Sequence, residues 1–366
     1  MPQARPAYPG TLRAFSSMIG ACLCACAAFA AHAASADSCQ HDDKECVSRA
    51  IRNSPVTKLH FWKSAFAKPV EQRIGVAPPE LVEYLALDNL KNGFPDQPHP
   101  ATVCAEFQHD VEAAIRELPA ALADMMRRKL AGIYFVADIG GTGFTEKIYA
   151  EGSTPVGGFI VLDPDVLRAQ TANSWATWKE NTPFRPMPQF ELAAQIESPW
   201  QDNRKNAIQY ILLHELGHVL ALNEHLHAPW GVPAKDVGSI DAFAFSRLSW
   251  AKSADGNRFV TLFDDVLPPR RDIVYYFGAR LAADQMTRTY DALEKTNFAT
   301  LYSLNNPADD FAEAFASYVH TMLMHKPFRI DIYVEGRLAK TYFSCWTEQR
   351  CAAKMRLLAQ FVDGGR

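Results

Sequence analysis

The stretch Ile208-Gln209-Tyr210-Ile211-Leu212-Leu213-His214-Glu215-Leu216-Gly217-His218-Val219-Leu220 is an apolar, proline-free run built around the letters HELGH. On a helix, residues four apart share a face, so His214 and His218 can offer two imidazoles to one ion. Glu215 stands beside them, within reach of the proton of a water at that ion. This is the pattern in which two histidines hold Zn2+ and the glutamate serves as general base. The apolar surroundings add weight, because a ligand pair needs rigid support. Two surface histidines on an ordinary helix would give the same letters without the chemistry, so the reading turns on a third ligand.

Catalytic zinc is usually held by three protein ligands and a water. The nearest source is Ala221-Leu222-Asn223-Glu224-His225. The HExxHxxGxxH pattern would need glycine where Ala221 stands and histidine where Glu224 stands, and His225 is one residue late. His225 and His227 are therefore expected to be polar loop residues. The better source is Tyr302-Ser303-Leu304-Asn305-Asn306-Pro307-Ala308-Asp309-Asp310-Phe311-Ala312-Glu313-Ala314-Phe315-Ala316. Pro307 and two early acids suit a helix start, and Phe311, Phe315, Tyr318, Val319 and Met322 form an apolar stripe. Asp309 and Glu313 share a face, so one can bind metal while the other orients a ligand histidine. Asp309 is expected as the ligand with Glu313 behind it. The reverse assignment, Asp310 as ligand, or two solvated acids at a helix start remain open.

HELGH followed by an acidic helix resembles the gluzincin class of zinc peptidases. The run from Tyr302 to Phe315 is similar to the catalytic domain of anthrax lethal factor and its relatives, which carry a tyrosine, a zinc-binding glutamate seven residues on, and then FAEAF. The resemblance covers the two helices and the strands before them. It implies one Zn2+ on His214, His218 and Asp309, Glu215 as general base, and Tyr302 as hydrogen-bond donor to the developing oxyanion or aid to the leaving group. The chain departs from that pattern in two ways: Asp309 replaces glutamate, and a long insertion, 226–299, separates the helices. The reading it supports is an α+β, zincin-like metallopeptidase with a small mixed sheet, an HExxH helix and a second ligand-bearing helix. A secreted binding or structural protein with a degenerate or structural zinc site is the alternative, and a zinc hydrolase acting on something other than peptides is a third reading.

The first 33 residues read as a secretory signal. Arg5 and Arg13 give a positive start, no acid precedes Asp37, an apolar run extends from Ala14 to Ala31, and Ala31-His32-Ala33 is a small-x-small cleavage site. An uncleaved anchor, or a lipoprotein box at Ile19-Gly20-Ala21-Cys22, stands beside that reading. Export to the periplasm or outside the cell fits the remaining cysteines: Cys39/Cys46 and Cys345/Cys351 can close small local disulfides. Cys104 is then odd and expected to be buried, although Cys39 or Cys46 could pair with it instead. A net charge of −4 over 366 residues gives no argument for nucleic acid or an anionic membrane surface. The expected partner is a peptide or protein substrate.

Residues 34–100 form an N-terminal segment, to be read as a subdomain, a packing arm or a propeptide, and 101–366 the catalytic domain. Thr102 to Leu130 has helical spacing with a break at Pro119. Gly132–Ala137 and Gly157–Asp163 read as strands, with Gly140-Gly141-Thr142-Gly143 as a turn. Phe159 to Leu162 is expected either near an exposed sheet edge where a substrate could add as a strand, or as an ordinary interior strand. Residues 171 to 205 look like a surface excursion, and Ile273 to Leu293 is apolar enough for a helix of the insertion. Trp250 with Phe259, Leu262 and Phe263 reads as a hairpin or a loop, and Arg329–Tyr333 and Leu338–Phe343 suggest a hairpin around Glu335-Gly336 ahead of a final helix.

Overall fold

Proline and glycine divide the chain, in the computed structural model, into elements that describe residues 43–364. The expected leader and Cys39 lie outside the described residues. Helices α1 (Lys44–Asn53) and α2 (Leu59–Phe66) lead to β1 (Ile74–Val76) and α3 (Pro79–Asn92), which ends at Gly93 with φ +73°, the left-handed cap glycine tolerates. Strand β2 (His99–Pro100) precedes α4 (Ala105–Arg116) and α5 (Ala123–Lys129), which part around Pro119 as predicted. Then come β3 (Leu130–Ala137), β4 (Gly143–Tyr149), β5 (Pro155–Leu162), α6 (Pro164–Leu167), α7 (Ala172–Asn181), β6 (Phe184–Arg185), β7 (Phe190–Gln195) and α8 (Arg204–Leu220). The insertion supplies β8 (Trp250–Lys252), β9 (Phe259–Thr261), β10 (Leu281–Ala282) and α9 (Met286–Leu293). Helix α10 (Pro307–Tyr318), strands β11 (Arg329–Val334) and β12 (Arg337–Phe343), and α11 (Ala352–Gly364) complete a mixed α+β fold with small sheets.

The main sheet runs β1-β3-β5-β4, with β2 pairing on β3. Strands β1, β3 and β5 are parallel, and β4 lies antiparallel on β5. This decides the reading of Phe159–Leu162 for the interior strand and against the sheet edge. Those residues belong to an interior strand with both neighbours paired and are fully buried. An unbroken apolar run is what a strand covered on both faces requires. The edge strand beside β5 is β4, whose half-buried sequence has no strong strand pattern.

One face of the sheet packs on α8, which is buried nearly all round: 13 of its 17 residues are buried, so it forms the centre of the larger core. The other face is covered by the N-terminal segment. Trp62 lies 5.3 Å from the rings of both Tyr134 and Phe159, and Tyr84 donates to Glu146 at 2.6 Å. Arg73, itself buried, donates to the carbonyls of Phe66, Lys68, Arg127 and Leu130 and so ties the segment to α5 and β3. A second antiparallel sheet, β12-β11-β7, contains the predicted terminal hairpin, and β8 pairs with β9.

Three expectations are corrected. Residues 171–205 are not merely a surface excursion: Trp175, Lys179 and Glu180 on α7 are buried, although Trp200 is 90% exposed. Within Ile273–Leu293 only Met286–Leu293 is α-helical, preceded by one 3-10 turn at Ala283–Gln285. Ile273 to Phe277 is an irregular strap in which Tyr276 has φ +65°, a left-handed conformation unsuited to helix continuation. Cys104 is a free, exposed cysteine just ahead of α4. Cys345 and Cys351 are bonded, with S–S 2.01 Å, and Cys46 is also disulfide-bonded. No helix among the described residues is long and apolar enough to cross a membrane.

Candidate metal centre

Two helices place the site. Asn203 starts α8 by accepting from the Asn206 N–H. At the other end, Lys129 Nζ donates to the carbonyls of Leu220 and Leu222 at 2.7 and 2.8 Å. Asn306 caps α10, its Oδ1 accepting from Ala308 N and Asp309 N at 2.9 and 3.0 Å, with Pro307 as the first helical residue. The helices meet at Gly217. A Cβ there would lie 2.8 Å from the Cα of Ala312, so only glycine permits this approach.

That contact brings His214, His218 and Asp309 together, with one donor atom from each mutually within 4.8 Å. His218 Nε2 lies 3.4 Å from Asp309 Oδ1. Because the helices are so close, even the short aspartate side chain reaches His218. Asn306 Nδ2 donates to Asp309 Oδ2 at 2.8 Å and fixes the carboxylate with Oδ1 toward His218. Glu313 takes a different place. Its Oε1 is 2.8 Å from His214 Nδ1, and its Oε2 accepts from Thr300 Oγ1 at 2.7 Å. Asp310 stays apart from the histidines, fully buried against Lys354 Nζ at 2.6 and 2.8 Å and Trp250 Nε1 at 3.0 Å.

Glu215 points at β4. Thr145 Oγ1 donates to its Oε2 at 2.5 Å, and Oε1 lies 3.1 Å from where a Cβ would stand on Gly143. Tyr302 packs edge-on against His214 with centroids 5.6 Å apart. Burial, and then the charge of Asp309, hold its hydroxyl protonated well above the ordinary tyrosine range. His227 departs from the sequence expectation: it is buried against Phe311 and Trp230, with Nδ1 2.9 Å from the Ala228 carbonyl. Glu224 pairs with Lys129, away from the cluster.

Several neighbours had no motif to announce them. Lys179 on α7 is 2.7 Å from Glu313 Oε1. Burial alone would raise the Glu313 carboxyl, but Lys179 and His214 hold it far below the usual carboxylate range. Trp230 lies 5.2 Å from the His218 ring, and Lys147 of β4 sits over its face at 4.5 Å. A lone lysine or tryptophan carries no sequence signal of this kind.

The cluster lies where two hollows meet. On the His214 and Glu215 side is a cavity of about 230 Å3, walled by Leu85, Phe94, Phe144, Ile211 and Phe277. On the Asp309 side is a groove of about 870 Å3, lined in part by Arg258, Arg270, Arg271 and Asp264. Tyr276, Phe277 and Tyr302 border both. Phe277 stacks on Phe94 at 5.6 Å, joining the insertion to the N-terminal segment, and Tyr276 stacks on Trp178 at 5.4 Å. Comparison with protein-family models, with curated proteins and with solved structures finds no match to this chain.

Proposed function

We propose that this protein is an exported zinc-dependent peptidase with a zincin-like core of the gluzincin kind. The observation that carries the reading is the convergence of His214, His218 and Asp309 beside Glu215 at a cavity. Two imidazoles and one carboxylate are a nitrogen and oxygen set suited to catalytic zinc. His214, His218 and Asp309 would hold the ion, and Glu313 would orient His214. Zinc bound there supplies Lewis acidity, polarising a carbonyl and acidifying a water.

Glu215 then acts as the proton carrier, accepting the proton of the attacking water and passing it to the leaving nitrogen. Thr145 engages Oε2 of that carboxylate and leaves Oε1 beside the bare Gly143 backbone. Tyr302, kept protonated, donates to the carbonyl oxygen as negative charge develops there. Strand β4 ends the sheet next to Glu215, so a peptide has an edge on which to add as a strand.

The test is metal analysis of the purified protein together with Glu215→Gln. The variant is expected to retain stoichiometric zinc and to lose roughly 10²- to 10⁴-fold in hydrolysis of a quenched-fluorescence peptide library. Retained hydrolysis defeats the general-base role. A protein without stoichiometric zinc defeats the metal reading. Zinc without cleavage of any peptide favours the secreted binding or structural protein.

A further inference from the structure

Lys179 is a cation in an unusual position. Its side chain is 6% exposed and that of Glu313 1%. Buried ion pairs are weak contributors to stability, since the desolvation of both charges offsets their attraction. The oxygen engaged by Lys179 Nζ at 2.7 Å is the same Oε1 that lies 2.8 Å from His214 Nδ1. Lys179 Nζ is itself confined, 4.6 Å above the Tyr302 ring and 5.5 Å from that of Trp175. The next residue, Glu180, faces the other way and accepts from Tyr275 and Tyr290 at 3.0 and 2.7 Å. The Tyr275 ring packs against Tyr302 at 4.8 Å. Two consecutive residues of α7 thus reach a histidine and the tyrosine of the site from behind.

We propose that Lys179 is a positioning residue for the metal centre, a buried cation that holds Glu313 as an anion aimed at His214 Nδ1, so that the other ring nitrogen faces the ion. Carboxylates behind a ligand histidine fix its tautomer and ring direction. Lys179 does for Glu313 what Glu313 does for His214. This inference rests on the zinc reading above, but its readout is metal affinity rather than hydrolysis.

Zinc dissociation constants are to be measured by competition with a chromophoric chelator on the full chain, with circular dichroism as the check on fold. Lys179→Met is expected to weaken zinc binding about 10- to 100-fold, and Lys179→Arg to recover part of that loss, which a purely space-filling role would not predict. If Lys179→Met does not fold, Thr300→Val removes the hydrogen bond to the other Glu313 oxygen and should weaken zinc binding several-fold. A folded Lys179→Met with wild-type affinity, or in its place a folded Thr300→Val with wild-type affinity, overturns the inference and leaves the zinc reading standing. A wild-type protein that binds no zinc overturns both.

Discussion

The Asn306 side chain uses both of its ends: Oδ1 caps α10, and Nδ2 holds Asp309 Oδ2. The two uses can be separated. Asn306→Ala loses both and should cost about 1 kcal/mol of stability, the usual effect of removing a cap. Asn306→Ser keeps an acceptor for the helix but is too short to hold Asp309. It should unfold near the wild-type temperature while binding zinc more weakly, as thermal melts and chelator competition would show. Equal zinc affinity in Asn306→Ser and wild type would mean that Asp309 needs no such support. At this scale the sequence was legible where chemistry has a spacing: His214, Glu215 and His218 follow from helical geometry, and Asp309 and Glu313 from their shared face. Lys179, Thr145 and Trp230 come from separate elements, and no local pattern links a residue on α7 to one on α10.

Between elements, the contact that matters is α8 on α10. Gly217→Ala would place a methyl 2.8 Å from the Ala312 backbone, and backbone cannot turn aside as a side chain can. The helices must separate, at a cost of roughly 1–3 kcal/mol for overpacking, and Asp309 moves away from the histidines. A lower denaturant midpoint together with weakened zinc binding is expected; wild-type behaviour in both would show that the helices have slack. The strap from Ile273 to Phe277 is held over the cavity by the Phe94–Phe277 stack, an arrangement worth about 1 kcal/mol. Phe277→Ala should speed limited proteolysis within residues 270–280, followed by mass spectrometry. The strap also shows where sequence periodicity fails. Ile273 to Phe277 is as apolar as a helix, but its side chains pack in different directions, on Phe94 of the N-terminal segment, on α7 and on Tyr302, instead of on one helical face. Strand β4 escaped for the opposite reason, since an edge strand beside a cavity is only half buried.

For the molecule as a whole, acid sensitivity has an identifiable contributor. His320, just beyond α10, is buried, and that burial pushes its pKa down to about 4 despite hydrogen bonds to the carbonyls of Ile196 and Pro327. In the unfolded chain the ring titrates near 6.5. The unfolded state therefore gains a proton first, so the stabilising contribution is complete above about pH 6.5 and is lost as pH falls toward 4. The loss amounts to about 3 kcal/mol. Denaturant titrations should show His320→Leu with a shallower decline between pH 7 and 4.5 than wild type, whatever its stability at pH 7; parallel slopes would assign the acid sensitivity elsewhere. Helices α4, α8 and α10, strands β3 and β5 and the terminal hairpin were readable because each has a period, whereas α7 and β4 were not. The way the N-terminal segment folds back was not, because a strand of three residues and a single arginine have none.

That arginine has a consequence for how the protein melts. The guanidinium of Arg73 is shared among four carbonyls, two from its own segment and two from the chain around α5 and β3, and β3 and β5 present side chains to both hydrophobic cores. Neither core can lose its order without exposing a face of the strands the other depends on. The two halves are thermodynamically one cooperative unit, and calorimetry should record a single transition whose calorimetric and van't Hoff enthalpies agree.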